Sequence, residues 1–355
     1  MLATIFWDFP NHIPLFGFEL RYYSLMFIIS FILGQYGMQY MFKKENINPK
    51  LMDSLVYLMI GATIVGARLG HVFFWEWDHY REKPWDIIKV WEGGLASHGA
   101  AIAIIVALIF WSRKYAKRNP LWSLDRVVIV VALAAGFIRM GNWFNSEIYG
   151  APANSVFETV FVEDGAQSVI PRLNKKGLQV ENIEILPTGN TKTIDGLEMP
   201  ELDLRLSYSP RDLSSPESVA QLLPRILDGQ EPKDRNLRFI EGSVAEVRKS
   251  ESGWEASIKV YGIPRYPTQL FEAGAYWIIF IILAFLYEKR NAGQKQGFLF
   301  GMFLVLVFGF RIFIENYKEI QEHFEEGMRL NLGQWLSVPL VAFGLFLILR
   351  ARRTT

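Results

Sequence analysis

The sequence predicts an all-α polytopic membrane protein, a bundle of seven transmembrane helices carrying a small β-rich extracytoplasmic insert. Three observations predict it. The chain has long apolar runs separated by short basic loops. One window, 154–264, is polar and ordinary in composition. Several arginines sit inside the apolar runs at a similar depth. The averages alone mislead, because 51% hydrophobic residues and a net charge of +1 are close to soluble values and imply neither nucleic acid nor an acidic partner.

A hydrocarbon core of roughly 30 Å needs about 20 apolar helical residues. Seven segments come close, at roughly 22–42, 52–75, 95–112, 125–144, 268–288, 296–315 and 333–350. Lys43, Lys44 and Lys50 follow the first; Arg113, Lys114, Lys117 and Arg118 the third; Lys289, Arg290 and Lys295 the fifth; Arg350, Arg352 and Arg353 the last. The positive-inside rule makes that side cytoplasmic, with the N-terminus outside and the C-terminus inside. The opposite loops, EWDHYREKPWDIIKVWEGG and NYKEIQEHFEEGMRLN, are mixed or acidic with interfacial Trp and Tyr. The organisation expected is 1–153 with four spans, an outward-facing domain at 154–264, and 265–355 with three spans.

The insert ends in SVAEVRKSESGWEASIKVYG, where Trp254, Ala256, Ile258 and Val260 alternate with polar neighbours after a Ser-Glu-Ser-Gly turn. That pattern predicts a hairpin. The earlier part of the insert, with several Pro, Gly and Ser, carries weaker signals and no catalytic pattern. Cysteine is absent, so no disulfide, thiolate metal site or cysteine nucleophile belongs to this chain, and any thiol must come from a substrate. The N-terminus lacks the basic region and small-residue cleavage site of a removable signal peptide.

Arg68, Arg139 and Arg311 each fall within roughly 10 Å of the outer boundary, judged from helix rise. A single arginine near a helix end can snorkel to water. Three at one level, on the side where Lys and Arg are disfavoured, point instead to the bundle interior and a substrate path. Arg21, Tyr23, His98, Arg265, Gln269 and Glu272 cluster at the same level. Arg139, Asn142 and Ser146 share a helix face, with Glu147 nearby, and Arg311 and Glu315 stand one turn apart as a candidate ion pair. A planar guanidinium forms paired hydrogen bonds with phosphate, more strongly where water is scarce. The expected chemistry is therefore phospholipid headgroup chemistry at the outer face. Gly66, Gly70, Gly136 and Gly141 read as close-packing positions between helices. His71, His79 and His323 lack metal-ligand spacing, no nucleotide motif is present, and neither a metal nor any other cofactor is expected.

These residues resemble a known family, the bacterial prolipoprotein diacylglyceryl transferases. RYYSLMF resembles its first-span tyrosine motif, GARLG its second-span arginine motif and GGLASHGA its histidine-bearing loop. RMGNWFNSEIYG is similar to its signature, and PRYPTQLFEA, FRIFIE and NLGQWLSVP follow in the family's order. The chain departs from the family at Ile138, where glycine is usual, at Ala100 after His98-Gly99, at Val307 in place of a tyrosine, and in its long insert.

The resemblance implies an inner-membrane enzyme that moves the diacylglyceryl group of phosphatidylglycerol onto the lipobox cysteine of a prolipoprotein signal peptide, releasing glycerol phosphate. It implies Arg139, Arg311 and His98 as catalytic residues, and Tyr23, Arg68, Asn142, Asn145, Glu147, Gly150 and Glu315 as residues that meet the lipid. Arg139 would hold the phosphate, Arg311 would stabilise the leaving group or the thiolate, and Asn142 and Glu147 would fix the geometry. For His98 two readings stand, proton acceptor for the thiol or tether of a glycine-flanked loop. Tyr23 is either a headgroup ligand or an interfacial anchor. An anion or lipid transporter would need polar residues through the cytoplasmic halves of the spans, which are apolar. A non-enzymatic assembly factor would use the arginines only to organise helices.

Overall fold

A computed structural model describes residues 4–15, 17–94, 96–175, 180–208, 216–228, 236–239, 243–250, 253–319, 325 and 327–353. His323 and the Glu251-Ser252 part of the expected turn lie outside the described residues. The chain divides into two compact units. The first comprises Met1–Leu25, Arg139–Glu272 and Ile314–Asn331; the second comprises Met26–Ile138, Ala273–Phe313 and Leu332–Thr355.

Long helices dominate the second unit. They are α1 (Tyr22–Lys44), α2 (Lys50–Phe74), α4 (Ser97–Lys114), α5 (Pro120–Phe144), α8 (Thr268–Lys289), α9 (Phe298–Ile314) and α10 (Leu332–Arg353), with short α3 (Trp77–Glu82) after α2. Among the described residues six helices are long and apolar enough to cross a membrane, namely α1, α2, α5, α8, α9 extended to Tyr317, and α10. The third expected span is helical as α4 but falls short of that measure. Its 18 residues open on Ser97-His98 and close on Arg113-Lys114, which leaves a short apolar centre.

Local chemistry sets the helix limits. Asn46, with φ +53°, follows the last turn of α1 in the left-handed conformation that asparagine tolerates. The Asn119 side chain accepts from the Leu121 amide at 2.9 Å ahead of a helix that begins with Pro120, a residue with no N–H to leave unsatisfied. The Asp125 carboxylate accepts the amides of Gly297 (2.7 Å) and Phe300 (2.8 Å), meeting orphan donors at the start of α9. Helices α2 and α4 approach at glycine: a Cβ on Gly99 would stand 2.2 Å from the Gly66 carbonyl oxygen and 2.6 Å from Gly70 Cα. Gly66 and Gly70 are thus packing positions, as their spacing predicts.

The first unit holds the insert. Strand β1 (Ile5–Trp7) pairs in parallel with β4 (Thr159–Phe161), and β2 (His12–Leu15) forms a hairpin with β3 (Phe18–Arg21). After α6 (Val162–Lys175) come β5 (Val180–Ile194), β6 (Leu197–Tyr208), α7 (Pro216–Asp228), β7 (Leu237–Arg238), β8 (Glu246–Ser250) and β9 (Gly253–Gly262). The strands form one antiparallel sheet in the order β5-β6-β9-β7, with β8 also on β9. The expected hairpin is β8–β9, and Ala256, Ile258 and Val260 are buried as their alternation requires. Leu202, Leu204 and Leu206 of β6 point to the same core. Ala166, Val169 and Leu173 of α6 and Val219 and Leu223 of α7 belong to that core too, so the insert is a mixed α and β layer structure.

Candidate active site

The signature segment begins on the last turns of α5, where 3.6-residue periodicity puts Arg139 and Asn142 on one face. The Arg139 Nη1 donates to Asn142 Oδ1 at 3.1 Å. Asn142 Nδ2 donates in turn to Glu147 Oε1 at 2.7 Å, and Asn145 Nδ2 reaches the same oxygen at 3.4 Å. Glu147 can face back toward α5 because the chain reverses sharply after the helix. Ser146 and Ile148 both adopt left-handed backbone, with φ of +53° and +56°. For the β-branched Ile148 this conformation is strained, at a cost on the order of 1–3 kcal/mol.

Neighbouring chain holds the reversal in place. Gln269 Nε2 donates to the Glu147 carbonyl at 2.8 Å, Thr268 Oγ1 to the Ile148 carbonyl at 3.2 Å, and the Gly150 amide to the Tyr266 carbonyl at 2.9 Å. Gly150 is packed tightly, since a Cβ there would lie 2.6 Å from Tyr266 O and 2.8 Å from Tyr317 O. Arg265, almost fully buried, donates to Gly150 O (3.2 Å) and Asn236 Oδ1 (2.7 Å), pairs with Glu319 (2.8 Å) and covers the Tyr149 ring at 4.5 Å. Burial raises the Tyr149 phenol above its ordinary pKa. Arg265 is therefore the clamp that ties the reversal to the insert.

A second set of charges meets the other edge of Arg139. Its Nε stands 3.1 Å from Glu272 Oε2, and the Glu272 side chain is 0% exposed. Glu272 Oε1 pairs with Lys318 Nζ at 3.1 Å, and Lys318 also meets Glu315 Oε1 at 3.2 Å. Glu315 Oε2 accepts from Asn331 Nδ2 at 3.1 Å. The first unit thus holds Arg139, Asn142, Asn145, Glu147, Glu272, Lys318 and Glu315 in one connected polar network. Tyr23 belongs to the same unit, its ring against Gly141, where a Cβ would approach Tyr23 Cδ2 to 2.8 Å.

The second unit carries the other predicted residues. Arg68 is only 4% exposed, and its donors go to backbone carbonyls: Nε to Ile87 (2.8 Å), Nη1 to Gly93 (2.6 Å) and Gly94 (3.2 Å), and Nη2 to Asp86. The Tyr80 ring lies 5.0 Å from the guanidinium carbon. Arg68 therefore fastens the segment that leads into α4. Lys89, hydrogen-bonded to the Asp86 carboxylate, holds that carboxyl below its usual range, and His79 adds to the effect. His98 lies in the first turn of α4, exposed, with no side-chain hydrogen bond or ion pair to any described residue. Arg311 is half-buried in the last turn of α9.

Two members of the network were not singled out from sequence as site residues. Glu272 falls in the polar cluster at the start of the fifth span, but its link to Arg139 joins positions far apart in the chain. Lys318 sits in a loop that reads as interfacial, and no local pattern signals its bond to Glu272.

A sequence profile described as "Prolipoprotein diacylglyceryl transferase" matches residues 10–350. A protein of Porphyromonas gingivalis named phosphatidylglycerol–prolipoprotein diacylglyceryl transferase is 32% identical over 357 residues, covering 98% of this chain and 95% of its own. Proteins of the same name from Chloroherpeton thalassium and Tolumonas auensis are each 30% identical, covering 98% and 97% of this chain and 95% and 96% of their own.

Proposed function

The chain belongs to the prolipoprotein diacylglyceryl transferase family, and from that premise we infer how its residues carry the reaction. The enzyme transfers the diacylglyceryl group from phosphatidylglycerol to the cysteine thiol of a prolipoprotein. The sulfur attacks the glyceryl carbon and a C–S bond forms. The C–O bond to phosphate breaks, its electron pair leaves with glycerol phosphate, and the thiol proton passes to a base. A free thiol has a pKa near 8.5, so thiolate formation and stabilisation of the departing phosphate are the two tasks.

Arg139 is assigned the phosphate of the bound lipid. The observation that carries this is its fixation from two sides, Glu272 at Nε and Asn142 at Nη1, which sets the plane of the guanidinium before the lipid arrives. Asn142, Asn145 and Glu147 hold that plane. Arg311 is assigned the leaving group. His98 is assigned the thiol proton, because its imidazole has no protein partner among the described residues and the loop-tethering role belongs to Arg68. Tyr23 is assigned a headgroup contact, Glu315 the positioning of Lys318, and Gly150 the close packing that seats the signature reversal.

On this reading α4 is the seventh crossing, the N-terminus, insert and site face the extracytoplasmic side of the inner membrane, and the lipobox of the signal peptide enters there. Incubating the purified protein with phosphatidylglycerol and a peptide bearing a lipobox cysteine tests the assignment. The peptide thiol gains the diacylglyceryl mass if the reading holds. A lipid carrier or an assembly factor leaves the peptide unchanged, and that result would overturn it.

A further inference from the structure

The second unit contains a polar cavity of about 460 Å³ lined by none of the residues assigned to the transfer reaction. It lies where α1 ends, α5 begins and α8 gives way to α9, the end that carries the basic loops. Its floor is a built ionic cluster. Arg126 Nη2 pairs with Glu45 at 2.8 Å and donates to Gly293 O at 2.9 Å, while the Tyr287 hydroxyl and Trp122 Nε1 donate to the same Glu45 carboxylate at 2.7 and 2.9 Å. Lys44, on the wall, is held by Glu288 at 2.7 Å.

Arg118 completes the lining and differs from the other two cations. Its guanidinium carbon lies 4.9 Å from the Trp122 ring, and Arg126 lies 4.7 Å from that same ring. Among the described residues no carboxylate or carbonyl accepts from the Arg118 side chain. Two guanidiniums thus share one indole, and a single lining carboxylate, Glu45, is already engaged by Arg126, Trp122 and Tyr287. The remaining rim consists of neutral amides, Asn291, Gln294 and Gln296. The cavity therefore offers a planar fork of donors and side-chain amides with a local excess of positive charge. Phosphate oxygens fit that set, since guanidinium binds them through paired charge-assisted hydrogen bonds.

We propose that this cavity is an anion site that binds a phosphate group through Arg118, separate from the residues assigned to catalysis. Basic pockets between helices at a membrane face bind anionic lipid headgroups, and a lipid phosphate at the ends of α1, α5 and α8 would be within reach. A soluble phosphate ester offers the same chemistry.

Thermal unfolding of the purified protein in a neutral detergent tests the site, since a ligand of the folded state raises its midpoint with concentration. The probes are dihexanoyl phosphatidic acid, dihexanoyl phosphatidylcholine and inorganic phosphate, applied to wild type, R118Q and R118E. Phosphatidic acid protects wild type more than phosphatidylcholine does. R118Q weakens that protection about fivefold in apparent affinity, the usual worth of one cation beside a phosphate-bearing surface, and R118E weakens it further. Phosphatidic acid bound elsewhere protects all three proteins alike and cancels in the comparison. Protection by inorganic phosphate as well identifies a soluble ester as the source; protection by the lipid alone identifies the membrane. Unliganded midpoints of the variants stay near wild type, because among the described residues the Arg118 side chain makes only the ring contact. Equal affinity of all three proteins for phosphatidic acid, or no advantage of phosphatidic acid over phosphatidylcholine in wild type, would overturn the proposal.

Discussion

Replacing Arg139 with lysine keeps the charge and removes the fork. In the structure the guanidinium serves Glu272 through Nε and Asn142 through Nη1, at 3.1 Å each, on two different edges. A lysine ammonium is a compact point charge and cannot hold both partners while also presenting paired donors to a phosphate. Its strongest partner is Glu272, the fully buried carboxylate. The bonds forfeited are then the one to Asn142 and one to the lipid. Hydrogen bonds to charged groups are worth about 1.5–3 kcal/mol each, so the pair amounts to about 3–6 kcal/mol of lost transition-state stabilisation. That range corresponds to a fall in kcat/KM on the order of 10²–10⁴-fold. The assay is diacylglyceryl transfer to a lipobox peptide with phosphatidylglycerol varied, followed by mass of the peptide, with the thermal midpoint measured in parallel. A large kinetic loss, with the midpoint lowered by no more than the lost Asn142 bond accounts for, is the expected result. Transfer within tenfold of wild type would show that the fork is dispensable and would refute the phosphate assignment.

Glu272→Gln leaves Arg139 and Lys318 without the buried carboxylate between them. Breaking a buried pair in this way costs about 3–5 kcal/mol, so the midpoint falls and kcat/KM falls with it; an unchanged midpoint would count against the network. His98→Gln removes the imidazole assigned the thiol proton, so transfer slows and its dependence between pH 6 and 8 flattens. Retention of most turnover across that range would exclude the base role. Arg68→Lys loses most of the four carbonyl contacts, and hydrogen exchange should accelerate across residues 84–94; exchange at the wild-type rate would show that the carbonyl cage does not hold the segment.

The sequence patterns that proved readable were those in which neighbours along the chain share one environment. Apolar runs predict seven spans, six of which are helices long and apolar enough to cross a membrane, and period-2 alternation predicts β9, because both signals repeat over many residues. Helices α6 and α7 are not legible in the sequence although Val162, Ala166, Val169 and Leu173 recur on one helical face. Each helix contains a proline, Pro171 or Pro224, and the surrounding Pro, Gly and Ser favoured loops. At the site, the Arg139-Asn142-Glu147 chain was legible since helix geometry and a short reversal connect it. The Glu272-Lys318 bridge was not, because it joins residues that only the tertiary fold brings together. Arg68 shows the opposite case: a buried arginine suggested a ligand, and the carbonyls that receive it come from a loop whose path no periodicity encodes.

The network around Arg139 poses an electrostatic problem that its hydrogen bonds explain. Among the described residues the contacts above join three carboxylates, Glu147, Glu272 and Glu315, to two cations, Arg139 and Lys318. Two unit charges 5 Å apart at an effective dielectric of 20 interact by about 3 kcal/mol, enough for uncompensated carboxylates to repel a phosphodiester. Each carboxylate, however, is committed to positioning. Glu272 sits between Arg139 and Lys318, Glu315 between Lys318 and Asn331, and Glu147 accepts from two amides. Such an arrangement fixes direction at the expense of net attraction. On the proposed assignment, Arg139 orients a lipid delivered by the bilayer, where the local concentration is already high and long-range attraction adds little.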